Sequence, residues 1–446
     1  MDLRLESVAV SDLINLFDDM KISNLSPLIV HSFDVAKISS LMMKRIGIGD
    51  SNDVLYAYLS GLFHDIGLLA LTELKMPKGV FIATKADISQ RGESFNLDPL
   101  LYKIDKDYIH SRFSYEILRR MKILPSDYLK AVLNHHTPLD ELTGNDREIL
   151  LSNLINVADM MAQMIRKSIR WGASESIRAL FDLLAKYPMV NEVKKAAKDL
   201  INSYVEFGYV LDDDPYIERF CNFGFQIGFH EAIEFLKAMV LLVDLRSPFT
   251  LSHTSGVAIL ARDLASEMLK TDFDSLVMYV AGLMHDLGKI KTPLEVLHKP
   301  GKLDMHEAYI MKMHVVDTYK MFSKYPKFEE FTAIASTHHE RLDGSGYPWG
   351  LKAKDLGMRS RILQVADVYE ALTENRPYRE GMKPLDALGV IENMVNHGKL
   401  DLNVYESLKQ MVKNGYEVKR SDVVLVEFFG EFENVEEVKK VLDRIS

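Results

Sequence analysis

Eleven residues from His338 to Pro348 (His338-His339-Glu340-Arg341-Leu342-Asp343-Gly344-Ser345-Gly346-Tyr347-Pro348) set a histidine pair, two acids and a glycine-rich turn side by side. Upstream lies His285-Asp286, and His253, His314 and Asp367 complete a set with His338 and His339. Imidazoles joined by one or two carboxylates suit a divalent ion of intermediate softness. Seven ligands exceed what one ion needs. Two ions about 3.5–4 Å apart, bridged by a carboxylate, would use them all, and such a pair can generate hydroxide and clamp a phosphoryl group. Asp286, beside a ligand histidine on the same expected helix, is the natural bridge. Lys289 follows one helical turn on, where an ammonium would bind phosphate or stabilise a leaving oxygen. Gly344 and Gly346 free the backbone and Tyr347-Pro348 stiffens its exit, which shapes a loop beside the metals. Arg376-Pro377-Tyr378-Arg379 offers two guanidiniums to a phosphate or a guanine edge. His298 and His306 read instead as surface or capping-region residues, since Asp304 and Glu307 have the spacing of a capping box.

Side chains ordered in this way need rigid elements. Most of the chain reads as amphipathic helix, with apolar residues at three- and four-residue intervals over 31–46 and 253–270, and hairpin signals are scarce. The expected fold class is all-α. The segment Ser60-Gly61-Leu62-Phe63-His64-Asp65-Ile66-Gly67 matches Ala281-Gly282-Leu283-Met284-His285-Asp286-Leu287-Gly288 almost residue for residue, and duplication is the economical explanation. Ser26-Pro27 precedes His31 as Ser247-Pro248 precedes His253, each proline suiting the first turn of a helix. The first half then supplies His31, His64, Asp65, His110, His135, His136 and Asp159 in the same order, a second expected metal site. Leu211-Asp212-Asp213-Asp214-Pro215 breaks the helical pattern. The expected organisation is therefore a domain over 1–205, a connecting helical segment over 206–245, a second domain over 246–413 and a small extension over 414–446. In that extension 423–429 reads as a strand and 435–445 as a helix.

Composition narrows the partners. The chain has 446 residues, 47% of them hydrophobic, enough for more than one core. Its net charge of −10, from 54 basic and 64 acidic residues, argues against a nucleic acid polymer as the main partner. The single cysteine, Cys221, rules out an intrachain disulfide, so histidine and carboxylate must do any metal work. No apolar run reaches the roughly eighteen residues a membrane helix needs, and the first residues lack signal-peptide character, so a cytoplasmic location without a membrane span is expected.

Over about 246–410 these residues resemble the HD-GYP family, a branch of the HD metal-dependent phosphohydrolases. The likeness rests on His253, on His285-Asp286-Leu287-Gly288-Lys289, on the Lys299-Pro300-Gly301-Lys302-Leu303 loop, on the His338-to-Pro348 signature, on Asp367 and on Arg376 to Arg379. The resemblance implies a helical domain holding divalent ions, Fe or Mn foremost and Zn, Ni or Mg as other candidates. It also implies hydrolysis of cyclic di-GMP to linear pGpG or GMP by a hydroxide held between the metals. Lys289 would contact the phosphate, and Gly346, Tyr347, Pro348, Arg376 and Arg379 would line the substrate site. Members with a third metal carry a glutamate four residues before the first histidine. Phe249 stands there in this chain, so two ions are expected. The first half resembles an HD domain that has drifted: Leu68 replaces the lysine, and Thr137-Pro138-Leu139-Asp140 replaces the loop signature. A regulatory or pairing role is expected of it. The competing readings are a phosphohydrolase for another nucleotide and a cyclic-dinucleotide receptor or adaptor without turnover. A homodimer or a signalling-protein partner fits either.

Overall fold

Helical periodicity along the sequence becomes helix in the computed structural model, which describes residues 7–19, 26–67, 109–168, 173–203, 210, 226–245, 253–299, 301–374 and 381–418. The fold is all-α. Among the described residues the regular strands are β1 (Ser7–Ala9) and β2 (Gln226–Gly228), which pair with each other. The chain divides into two compact units, the first Ala9–Ile227 and the second Gly228–Ser446 together with Met1–Val8.

The first unit contains α1 (Val10–Asp19), α2 (Ser26–Ile46), α3 (Ser51–Phe63), α4 (Ile109–Met121), α5 (Ser126–Leu133), α6 (Asp146–Ser168), α7 (Ala173–Lys186) and α8 (Asn191–Asn202). Pro27 sits in the first turn of α2. Helices α2, α3 and α6 enclose the core, where Val35, Ile38, Leu59, Leu62, Leu154 and Val157 are buried. The second unit contains α9 (Phe229–Leu245), α10 (His253–Leu269), α11 (Asp272–Met284), α12 (Leu294–Leu297), α13 (Met305–Phe322), α14 (Glu329–Ala335), α15 (Met358–Thr373), α16 (Pro384–Asn396) and α17 (Leu402–Lys413). Its core lies between α10, α11 and α15 and buries Val257, Leu260, Val280, Leu283, Leu363 and Ala366.

The repeated octapeptide is a packing device. A Cβ on Gly282 of α11 would overlap the Ala258 backbone of α10, and a Cβ on Gly61 of α3 would overlap Ala36 of α2 in the same way. Gly288 lies against the His314 carbonyl and donates its N–H to Thr318 Oγ1 at 2.9 Å. Gly67 repeats this with the His110 carbonyl and with Ser114 Oγ at 2.9 Å. Only glycine permits approaches this close.

Two readings of the sequence change. The helix expected to carry His285, Asp286 and Lys289 ends earlier: α11 stops at Met284, and Leu287–Lys291 form a 3₁₀ turn. Within that 3₁₀ turn Gly288 packs directly against α13, with no room for a Cβ. Residues 229–245, assigned to a connecting segment, form α9, which packs on α10 and α11 inside the second unit. The capping box is present: Asp304 Oδ1 accepts the N–H groups of His306 and Glu307 at 2.8 and 2.9 Å, and Glu307 accepts that of Asp304 at 2.8 Å. The strand and helix expected after 414, together with Leu68, Pro248, Phe249, Arg376 and Arg379, lie outside the described residues. No helix among the described residues is long and apolar enough to cross a membrane.

Candidate active site

In the second unit the chain delivers histidines at helix ends and faces all pointing one way. His253 opens α10, His285 follows α11, His314 lies within α13, His338 and His339 leave the turn after α14, and Asp367 lies within α15. Three of the rings are held by the carbonyl three residues back: His285 Nδ1 to Gly282 at 2.7 Å, His314 Nδ1 to Met311 at 2.6 Å and His338 Nδ1 to Ala335 at 2.6 Å. A carbonyl only accepts, so each Nδ1 carries a proton, and in the neutral ring Nε2 is the nitrogen left with a lone pair. That is the tautomer a metal requires.

Those lone pairs converge on two carboxylates. Asp286 Oδ1 lies 3.3 Å from His314 Nε2 and 4.0 Å from His338 Nε2, while its Oδ2 lies 3.3 Å from His285 Nε2 and 3.8 Å from His253 Nε2. Asp367 Oδ1 is 3.3 Å from His253 Nε2, and its Oδ2 is 3.6 Å from His339 Nδ1. Three overlapping groups result: His314, His338 and His339; His253, His285 and Asp367; His285, Asp286 and His338. In each, one ligand atom per residue falls within 4.8 Å of the others.

Except for the partly exposed His339, these side chains are buried. Burial alone would raise the Asp286 carboxyl, yet the charges of His285 and Lys289 hold it well below the usual carboxylate range. Burial drives His314 down to about 4 and His339 to about 3, so both are neutral at pH 7. His285 Nε2 and Asp286 Oδ1 are buried and make no hydrogen bond. Such orphans are costly in a folded protein. Divalent cations would satisfy them, and the donor set of imidazole and carboxylate fits such ions.

Lys289 Nζ donates to Asp286 Oδ2 at 2.5 Å across the 3₁₀ turn. Above the cluster a cavity of about 280 Å³ is bounded by Lys289, Arg341, Val368, Ala371 and Leu372 together with His253, His339 and both aspartates. Arg341 was not singled out from the sequence, although it stands two residues after the histidine pair. Its guanidinium donates to the carbonyls of His338 at 3.0 Å and Glu340 at 2.7 Å.

The two acids of the signature serve its loop. Glu340, fully buried, accepts the N–H groups of Trp349 at 2.8 Å and Leu351 at 2.9 Å, and Asp343 accepts that of Ser345 at 2.9 Å. Gly346 lies on the backbone of Glu340 and Arg341 with no room for a Cβ. Tyr347, followed by Pro348, brings its ring 4.7 Å from that of His339.

The first unit repeats the cluster. Its Asp65 Oδ1 lies 3.3 Å from His110 Nε2 and 3.5 Å from His135 Nε2, and its Oδ2 lies 3.3 Å from His64 Nε2. Asp159 Oδ1 lies 2.9 Å from His31 Nε2, and His136 Nε2 is 3.1 Å from His110 Nε2. His64 and His135 are again held through Nδ1, by Gly61 at 2.8 Å and Val132 at 2.6 Å. His64 Nε2, Asp65 Oδ1 and His135 Nε2 are buried orphans. The surroundings differ. Counting from the terminal aspartate, Met160, Gln163 and Met164 stand where the second unit has Val368, Ala371 and Leu372. Gln163 Nε2 donates to both oxygens of Asp159, at 3.1 and 3.3 Å.

Comparison with known proteins agrees with this duplicated architecture. HD domain models match residues 28–164 and 237–404. The 3′3′-cGAMP-specific phosphodiesterase 1 of Vibrio cholerae is 30% identical over 379 residues, spanning 80% of this chain and 81% of that protein. The chain belongs to the HD-GYP phosphohydrolases. This HD-GYP protein is also 36% identical over 193 residues to a cyclic di-GMP phosphodiesterase of Thermotoga maritima, 42% of this chain and 52% of that one. A crystal structure of a cyclic GMP-AMP-specific phosphodiesterase from V. cholerae shares the fold over 92% of this chain and 99% of its own, with a TM-score of 0.56 at 18% identity. The HD-GYP protein is a metal-dependent phosphodiesterase.

Proposed function

We propose that this HD-GYP enzyme hydrolyses cyclic di-GMP to pGpG or GMP in its second unit. The observation that carries the reading is the convergence of His253, His285, Asp286, His314, His338, His339 and Asp367 beneath a cavity edged by Lys289 and Arg341. Those seven residues would hold two divalent ions, Fe or Mn foremost. When bound, such ions activate water at neutral pH and withdraw charge from a phosphoryl group. Asp286 suits the bridging position because its two oxygens face different histidines. Lys289 and Arg341 bring two cations to the cavity wall for the phosphodiester and the oxygen that leaves it. Val368, Ala371 and Leu372 give the cavity an apolar wall against which a base or ribose could lie. Gly346, Tyr347, Pro348, Arg376 and Arg379 are assigned to substrate contact on the HD-GYP resemblance.

The first unit, in this reading, holds metal through His31, His64, Asp65, His110, His135, His136 and Asp159 without turning over a dinucleotide, and acts as a regulatory or pairing module. The bulkier Met160 and Gln163 and the missing lysine support that division. A second reading, 3′3′-cGAMP as substrate, is favoured by one fact: the Vibrio relative aligned through both halves carries that specificity in its name.

The test is to purify the protein anaerobically, load it separately with Fe(II), Mn(II) or Zn(II), and follow both cyclic dinucleotides by chromatography. Linear product from cyclic di-GMP that vanishes in Asp286→Ala is the expected result. Preferential cleavage of 3′3′-cGAMP would move the assignment to the second reading. Saturable binding without hydrolysis under every metal would make the protein a receptor.

A further inference from the structure

Among the second unit's clustered imidazoles, His253 lacks the support that fixes His285, His314 and His338. Its Nδ1 is buried and makes no hydrogen bond, while its Nε2 faces Asp367 and Asp286 at 3.3 and 3.8 Å. The group that faces Nδ1 is Glu374, whose Oε2 lies 3.7 Å away at the end of α15, two turns past Asp367 and therefore on the same side of the helix. Glu374 is itself buried, and its N–H is tied to the Glu370 carbonyl at 2.9 Å. Gly381 packs on the backbone of Thr373 and Glu374 so closely that a Cβ would not fit, which fixes where the carboxylate starts from.

We propose that Glu374 is a positioning residue: its carboxylate accepts the Nδ1 proton of His253, turning Nε2 toward Asp286 and Asp367 and strengthening it as a ligand. When a divalent ion is bound, it would make the Nδ1 proton a better donor, and Glu374, whose Oε2 lies 3.7 Å from Nδ1, is the residue placed to accept it. Carboxylate partners of this kind set both the ring orientation and the basicity of ligating histidines. The first unit is built otherwise. Arg166 stands two turns past Asp159 and forms a forked ion pair with Asp34, 2.9 Å between Nη2 and Oδ1, one turn past His31 on α2. The residue matching Asp34 in the second unit is Gly256, with no side chain to offer. The glutamate on α15 is therefore specific to the unit assigned to catalysis, and the inference rests on that assignment.

Titration of the metal-free full-length protein with Co(II), followed by calorimetry and by the visible d–d spectrum, tests it. Glu374→Ala is expected to weaken one class of site by about 10–100-fold and to shift the spectrum. Glu374→Gln, whose carbonyl still accepts the proton, should recover most of the affinity, and the metal-free melting midpoints should stay close to that of the parent. Parent-like affinity and spectrum in Glu374→Ala would overturn the proposal. So would Glu374→Ala losing the fold while Glu374→Gln binds Co(II) as the parent does and melts early. His253→Ala is the control on the underlying reading: if it leaves Co(II) binding unchanged, His253 is not a ligand and the assignment of the cluster itself fails.

Discussion

Five imidazoles and two carboxylates gathered within a few ångströms form an assembly that metals complete and protons disturb. His314, near 4, and His339, near 3, are lowered by burial, and His338 is well below its ordinary value for the same reason. In the unfolded chain each would titrate near 6.5. As pH falls from about 6.5 toward 4, the unfolded chain takes up protons that the folded site refuses, so stability rises with pH across that window and is lost on acidification. His285 acts in the opposite sense: burial lowers it, but the charge of Asp286 outweighs this and raises it. His135 and His136 of the first unit add to the majority that are lowered by burial. The expected outcome is a lower urea midpoint for metal-stripped protein at pH 5 than at pH 7.5; an equal or higher midpoint at pH 5 would contradict it. Residue types and order alone brought out all seven members of the cluster. They did not show that Glu340 and Asp343 turn toward loop N–H groups, or that Arg341 reaches the cavity, because loop path decides where a short side chain points and sequence spacing does not encode it.

At the level of elements, the site depends on how closely α10 and α11 approach. Apolar periodicity was enough to read both helices, and the glycine in each octapeptide was visible, but the reason for the glycine is a tertiary contact. The same holds for the break after Met284, which local sequence did not announce: Gly288 meets a carbonyl on α13, a neighbour distant in sequence. Adding one methyl group at Gly282 must push α10 and α11 apart, and a wedge of this kind typically costs about 1–3 kcal/mol. Because His285 sits three residues on and hangs its Nδ1 from the Gly282 carbonyl, the displacement should also reduce metal uptake. Gly389 provides the contrast. It lies on an exposed face of α16 with nothing near a would-be Cβ, so Gly389→Ala should stabilise by roughly 0.5–1 kcal/mol. Urea unfolding and metal analysis of the two variants check both. Equal effects would mean that the close approach at Gly282 has no energetic consequence.

For the molecule as a whole, the question is why a chain keeps two His/Asp clusters when the lysine beside the second, Lys289, is replaced by Leu68 beside the first. The duplication was legible because histidines and aspartates recur in the same type and order, so that His64-Asp65 mirrors His285-Asp286. What surrounds the ligands was less legible, since Met160, Gln163 and Met164 look like ordinary helix residues until they are placed beside Asp159. If the first cluster acts by binding metal and influencing the second unit, the effect expected of its loss is of the order of a typical coupling free energy, about 1–3 kcal/mol or 5–150-fold. If it performs a catalytic step, its loss is expected to abolish turnover. Asp65→Ala and Asp286→Ala in the full-length protein separate these cases. Asp65→Ala should lower the metal content and change turnover within the coupling range, whereas Asp286→Ala should lower the metal content and abolish hydrolysis. Abolition by Asp65→Ala in a protein whose second unit still takes up its ions would place chemistry in both clusters, and the drifted half would then be a second catalytic domain.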